Sequence, residues 1–279
     1  PFPIRGVVFE DINKNNKRDE GEPLLSGIPV SDGNDIVFTG EDGAFLLPNT
    51  DQKAKTVFVC VPSGFEKTGR FFQILLGLSA EQRFDFPLRR SAPGVEDRFS
   101  FAQITDIHVT SPEDDAPLKA ALEQVSSCVP VPAFILATGD LVGKADRTEW
   151  MEAYVRATAE CSVPVLNAAG NHDRCEGADR ALIYNRFLGP DYYSFNHGRF
   201  HFAVRSNTIE NLAEAAWFEN NIRLLSAGKS ILVFQHYPPT KEQTEEYARI
   251  GVKAVFSGHW HSHKIHRQDG VLCVNTPTL

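Results

Sequence analysis

Cysteine is scarce here: the 279 residues hold five, Cys60, Cys128, Cys161, Cys175 and Cys273. The absence of any C-x-x-C spacing excludes a thiolate zinc site. A scattered, odd-numbered set argues against a full disulfide framework and leaves room for one bridge. Nowhere do about 20 apolar residues run together, the length that a membrane-spanning helix needs. Positive charge is also in deficit, with 28 Lys and Arg against 36 Asp and Glu. The resulting formal charge of −8 gives no bulk attraction to nucleic acid or to an anionic membrane. An initiator methionine is missing, and Pro1-Phe2-Pro3 opens the chain without a recognisable leader, so the sequence reads as a processed mature form or a trimmed one. No internal repeat or low-complexity tract is present, and charge runs such as Glu113-Asp114-Asp115 read as solvated faces.

What the chain does have is two textures, and a length sufficient for two domains. Through residues 1–90, short apolar runs (GVVFE, GIPVS, DIVFT, AFLLP, TVFVCVP, RFDFPL) alternate with Gly, Pro, Asn and Asp clusters. That punctuation predicts a small all-β sandwich domain. Residues 87–96 lose periodicity and carry two prolines and a glycine, which places a linker over 91–98. Over 99–279 strands alternate with amphipathic helices, expected at 118–128, 147–161, 179–188, 212–227 and 241–250. This is the pattern of a layered α/β domain. The runs YYSFNHG and RFHFAVRS predict a hairpin turning at Asn196-His197-Gly198.

Five short blocks of metal-ligand residues punctuate the second part, each at the end of an apolar run: Asp106-Ile-His108, Gly139-Asp140, Gly170-Asn171-His172-Asp173, Gln235-His236 and Gly258-His259-Trp260-His261. Apolar runs ending in polar ligands read as buried strands that deliver side chains at their carboxyl ends, where α/β sheets bind ligands. Phosphoryl chemistry at neutral pH needs an activated water and neutralisation of charge on the transferring group, and two metals roughly 3.5–4 Å apart supply both. Such a pair needs about seven protein ligands with one carboxylate shared. Asp106 with His108, and His259 with His261, stand at i and i+2, which on an extended segment places both side chains on one face. Asp140 is the natural bridge, since Gly139 removes bulk beside it. Imidazole mixed with carboxylate does not select strongly among manganese, iron and zinc.

The ordered set D-x-H, GD, GNHD, a lone His and GHxH resembles the calcineurin-like metallophosphoesterases. Five blocks in that order are specific where any one alone would be weak. The resemblance covers about 100–278 and implies a layered β-sandwich flanked by helices. It implies a binuclear centre in which Asp106, His108, Asp140 and His261 hold one ion, and Asp140, Asn171, His236 and His259 the other. The two ions would be divalent or trivalent transition metals. His172 would stand beside the centre as the catalytic group that protonates the leaving group or contacts phosphate. The activity implied is hydrolysis of phosphomonoesters or phosphodiesters by a metal-bridging hydroxide, on a small molecule or a phosphorylated polymer. Two departures stand out: the GD block lacks the second acidic residue that some subfamilies carry three positions on, and the sequence stops at Leu279, where relatives commonly continue. The competing class is a non-catalytic binding or scaffold protein whose β-sandwich recognises a surface polymer or a protein. A relic of that kind would have lost ligands, and none of the seven is missing.

Other residues have two readings each. Arg174 and Arg205 suit phosphate by bidentate geometry or serve elsewhere on the surface. Asn171 is a ligand or a turn residue, and Asp173 orients His172 or caps the next segment. Trp260 stacks on a substrate ring or packs on the sheet, whereas His201, His263 and His266 read as core residues. In the first domain, Asp11, Asn13, Asn15, Asp19 and Glu22 fit the oxygen spacing of a twelve-residue calcium loop, with Asn16 at the position glycine usually holds. No helix precedes it, so an EF-hand pair is not expected; the competing reading is an Asx-rich surface turn. The turns at Asp32-Gly33 and Asp42-Gly43 and the runs around them resemble the transthyretin-like sandwich that precedes the catalytic domain in one bacterial branch of the family. Its role would be to shape the substrate entrance or to tether a partner. The missing methionine, the calcium-like loop and the sandwich together favour a periplasmic or secreted location over a cytoplasmic one. Oligomeric state and substrate identity are not written in the sequence.

Overall fold

The computed structural model describes residues 2–51, 54–75, 80–94, 98–177, 179–208 and 212–279. The chain divides into two units, the first comprising Pro1–Asp97, Tyr193–His201 and Leu212–Lys229, the second Arg98–Tyr192, Phe202–Asn211 and Ser230–Leu279.

The first unit is built on two sheets. In one, the strands run in the order Ala44–Thr50, Phe2–Glu10, Phe86–Arg90, Phe65–Lys67, with Gln82–Arg83 also paired to Phe2–Glu10. The other runs Ile36–Phe38, Pro29–Ser31, Thr56–Val59, Phe72–Ile74. Alternation within the strands turns Ile4, Val8, Val30, Phe45, Leu47, Val57, Val59, Phe86 and Leu88 into one buried cluster, whose burial drives this unit to fold. Residues 87–90, which show no periodicity in the sequence, complete the strand Phe86–Arg90, because Phe86 and Leu88 are buried in that cluster. Of the expected linker 91–98, residues 95–97 lie outside the described residues. Two later segments also join this unit. The helix Leu212–Leu225 buries Trp217, whose Nε1 donates to Ser31 Oγ at 2.9 Å and whose ring centroid lies 5.9 Å from that of Phe58. Asn196 N donates to Val61 O at 2.8 Å. Such partners are far apart in sequence and leave no local periodicity to read. His201 is buried in this unit, its ring nitrogens 2.8 Å from Asn196 Oδ1 and 2.9 Å from Asn221 Oδ1, a core position as expected.

The candidate calcium loop closes through its own side chains. Asp11 is buried and accepts from the backbone N of Asn15 and Asn16, both at 3.1 Å. Asp19 Oδ2 accepts from the side-chain amides of Asn13 and Asn15 at 2.8 and 2.6 Å, which holds its carboxyl below the usual range. Glu22 accepts from Ile12 N and Asp19 N.

In the second unit Ala102–Ile104, Ile135–Thr138 and Val165–Ala168 form a parallel three-stranded sheet. Ser230–Phe234, Val252–Ser257, Val271–Asn275 and Lys264–Gln268 follow one another in another sheet, parallel until the last antiparallel pair. Expected helices appear as Asp115–Ser126, Thr148–Ala159, Leu182–Leu188 and Lys241–Arg249. The third starts three residues later than its sequence pattern. Phe101 ties the two sheets together: its ring lies 5.4–5.8 Å from those of Phe134, Phe202, Phe234 and Phe256. Gln103 adds a polar link, donating to Ser257 O at 3.0 Å and accepting from Thr276 Oγ1 at 2.7 Å. All five cysteines are free. Among the described residues no helix is long and apolar enough to cross a membrane.

Candidate metal centre

Each of the five strands that lead into the metal-ligand blocks ends two or three residues before its first candidate ligand. Two sheets, not one, therefore converge on the site. The local conformation is the first surprise. Asp106 and His108 are not on an extended segment; their φ angles are 52° and 49°. Those of Asp140, His259 and His261 are 51°, 69° and 50°. Non-glycine residues with left-handed backbone cost about 1–2 kcal/mol each and persist where their surroundings over-determine them. The pairing of i with i+2 survives, but through two left-handed residues flanking one ordinary residue rather than through strand alternation.

The surroundings are hydrogen bonds between the blocks. Asp106 N donates to Gly139 O at 3.0 Å and His108 N to Asp140 O at 2.9 Å. His259 N donates to Asp106 Oδ2 at 2.9 Å and His172 N to Asp140 Oδ1 at 2.8 Å. Glycine is required where blocks touch: a Cβ on Gly170 would overlap the backbone N and Oδ1 of Asp140, and one on Gly258 would overlap Thr105 Oγ1 and press on Asp106 Oδ2.

Three sets of ligand atoms lie within 4.8 Å of one another: Asp106, His108 and His261; Asp140, His236 and His259; and His108, Asp140 and His172. Asp140 Oδ2 is the common point, 3.3 Å from His236 Nε2, 3.8 Å from His108 Nε2 and 4.0 Å from His172 Nε2. His236 Nδ1 lies 2.9 Å from Thr138 O. That carbonyl fixes the proton on Nδ1 and leaves the Nε2 lone pair facing inward. At 3.0 Å that nitrogen meets Asn171 Oδ1, acceptor against acceptor unless a proton or a cation lies between them. Asp106 Oδ1 is buried without a hydrogen-bond partner, 3.2 Å from His261 Nε2. Unsatisfied buried carboxylate oxygen is costly. The chemistry of these donor sets fits cations, and Asp140 belongs to two of the three.

Electrostatics agree. Burial, the largest single effect, would lower His236 and raise Asp140, yet the pair reverses both: the hydrogen bond and charge of Asp140 hold the imidazole above its usual value, and His236 holds the carboxyl below its own. A proton there does what a cation would do. Burial dominates at His108 and His259 and pulls both down, keeping their lone pairs free. Burial, aided by the charge of Asp140, pushes Asp173 up to about 6 against its backbone hydrogen bonds.

Asp173 neither orients His172 nor caps a helix. Its carboxylate accepts from Leu141 N at 2.9 Å, Val142 N at 3.1 Å and Gly170 N at 2.7 Å, so it braces the GD and GNHD turns against each other. His172 Nδ1 lies 2.7 Å from Gly143 O, and its side chain is 46% exposed. Arg174, read as a phosphate contact, is buried instead in a pair with Asp191 at 2.9 Å and donates to Thr208 Oγ1 at 3.0 Å. Arg205, likewise buried, donates to Tyr247 Oη at 3.0 Å. Both guanidinium groups sit where protein oxygens already take their donors. His263 is exposed and His266 partly buried, so neither is the core residue its type suggested. Asn207 was missed altogether: its Oδ1 accepts from His236 N at 3.2 Å and Tyr237 N at 3.1 Å, and its Nδ2 donates to Tyr237 O at 2.9 Å. No motif surrounds it to give it away. Asp11, Asp19 and Glu22 do not form a ligand group of this kind among the described residues.

Comparison with known proteins gives the family of this chain. Residues 99–263 match the calcineurin-like phosphoesterase model, and residues 11–91 match the model for the N terminal of calcineurin-like phosphoesterase. The chain belongs to the calcineurin-like phosphoesterase family. It is 27% identical over 190 residues to the serine/threonine-protein phosphatase CPPED1 of Danio rerio, spanning 55% of this chain and 62% of the relative. To the protein of the same name from Homo sapiens it is 27% identical over 179 residues, 50% of this chain and 57% of the relative. The match thus spans less than two thirds of these relatives' length. Among solved structures, the purple acid phosphatase PPD1 from yellow lupin (Lupinus luteus) seeds superposes with a TM-score of 0.51 at 10% identity, over 90% of this chain and 59% of the other, a likeness of fold.

Because Gly258 lets the His259 and Asp106 turns touch, Gly258→Ala is expected to remain folded by circular dichroism but to lose most of its bound transition metal. Elemental analysis of the purified variant checks this, and a full metal complement would contradict the packing described.

Proposed function

We propose that this chain hydrolyses phosphate esters with two transition-metal ions, of manganese, iron or zinc, held by Asp106, His108, Asp140, Asn171, His236, His259 and His261. The observation that carries the reading is the meeting of Asp140 Oδ2 with three imidazole Nε2 atoms beside an unpartnered Asp106 Oδ1. Ions bound there would lower the pKa of a water toward neutrality and draw charge from phosphoryl oxygens.

The chain's own groups do the rest. Asp140 offers one oxygen to the centre while His172 N holds the other, so the carboxylate cannot rotate away. Thr138 O fixes the tautomer of His236, and Asp173 fixes the two turns. With Nδ1 directed at Gly143 O, a protonated His172 carries its second proton on Nε2, 4.0 Å from Asp140 Oδ2 and therefore at the edge of the centre. This position supports a role for that nitrogen in protonating a departing oxygen. Such an acid matters for alkoxide leaving groups and little for nitrophenolate, which leaves without a proton. The relatives named as serine/threonine-protein phosphatases support alkyl monoesters of that chemical kind as first substrates.

Calcium at Asp11, Asn13, Asn15, Asp19 and Glu22 is a separate proposal supported by spacing. If it binds, millimolar calcium raises the melting temperature through linkage in the wild type and not in Asp11→Ala; an unchanged wild-type melting curve sinks it.

His172 tests the catalytic reading. His172→Ala is expected to keep its metal, to lose about 10²–10⁴-fold in rate on alkyl phosphates, and to lose distinctly less on nitrophenyl phosphate. Equal losses would assign His172 to phosphate positioning, and loss of metal would make it a ligand, as the third set of ligand atoms allows.

A further inference from the structure

Trp260 stands between two metal-centre histidines and is not used by anything described so far. Its neighbours His259 and His261 both carry left-handed backbone, and its own N donates to Gly258 O at 2.8 Å, so the turn is held firmly. While the two histidines contribute to the ligand sets, Trp260 is 50% exposed. The reading in which it packs on the sheet does not account for so much indole left in water.

Two further groups define the surroundings. Lys264 Nζ lies 5.2 Å from the centroid of the indole ring, within cation–π range. It comes from the outermost strand of its sheet, Lys264–Gln268, whose residues are exposed or partly buried. The ring of Tyr237 lies 4.4 Å from that of His259 at 63°. Tyr237 thus packs its ring against His259, while Trp260, the next residue in the chain, leaves its indole half in water. An exposed indole offers a large, rigid contact face at low entropic cost. One residue from two candidate ligands in the chain and half in water, that face is a binding surface open to a flat partner.

We propose that Trp260 is a specificity-determining residue that stacks on an aromatic ring carried by the organic part of the substrate, close to its phosphate ester. Lys264 acts as a positioning residue that fixes the indole by its ammonium. The proposal rests on the hydrolase reading above and narrows its substrate class to phosphate esters bearing a planar ring. A saturated ring of similar size fills the same volume but cannot lie flat on the indole.

The test compares 2-phenylethyl phosphate with 2-cyclohexylethyl phosphate, primary alkyl esters with similar leaving groups, on the metal-loaded enzyme. Aromatic stacking on a protein ring implies roughly a tenfold effect or more. Wild type is expected to show a KM about tenfold lower for the phenyl ester. Trp260→Ala should abolish that difference with kcat within about twofold and metal content unchanged, and Trp260→Phe should restore most of it. Binding is read independently by titrating the non-hydrolysable 2-phenylethylphosphonate. The protein has three tryptophans, so quenching by the ligand that is lost in Trp260→Phe reports on this one. Equal KM values in wild type, or parallel changes on both esters in Trp260→Ala, overturn the stacking role while leaving the hydrolase intact. If wild type turns over neither ester, the hydrolase reading fails. The phosphonate titration then decides the platform by itself: quenching specific to Trp260 upholds it and none overturns it.

Discussion

One carboxylate oxygen, Asp140 Oδ2, faces the Nε2 atoms of His236, His108 and His172, side chains that three different loops deliver. Burying such a charge costs several kcal/mol unless it is paired, and Asp140 is 2% exposed. The sheets must therefore bring compensating groups to it, and most of the second unit can be seen as meeting that demand. Phe101 locks two sheets so that their strands end at the same place. The backbone oxygens of Gly139 and Asp140 then receive Asp106 N and His108 N, which carries the Asp106 turn to its position.

The second constraint is backbone conformation. Asp106, His108, Asp140, His259 and His261 all take left-handed φ angles, and no local preference of Asp or His outweighs that cost. Tertiary bonds hold them, from Asp173 beneath the turns to Thr278 Oγ1 on Asp106 O at 2.7 Å. Strain of this kind fixes where ligand atoms point and leaves little slack for them to collapse onto one another.

That these residues meet was legible in the sequence because the chemistry fixes residue types: a D-x-H after an apolar run and a GHxH after another admit few readings. The fold was legible where periodicity is local, as in the strands and the helices Thr148–Ala159 and Lys241–Arg249. What stayed hidden was supporting structure. Asn207 and Asp173 act through backbone hydrogen bonds to residues about 30 positions away; Asn207 stands in no motif, and the GNHD block shows Asp173 without showing what it braces. Arg174 was misread because a guanidinium suits an internal carboxylate as well as it suits phosphate, and only the position of Asp191 shows which. The joining of the Leu212–Leu225 helix to the first unit rests on Trp217 reaching Ser31, a partner no window of sequence contains.

The proposed sharing of Asp140 between two ions is tested most directly by counting metal. Isothermal titration of the apoprotein with manganese or zinc, paired with elemental analysis, is predicted to give two ions per chain in the wild type. In Asp140→Asn, where the fold persists but the shared charge is gone, binding at both positions should weaken together. Loss of one ion with the other bound at unchanged affinity would contradict a shared carboxylate and leave two independent sites.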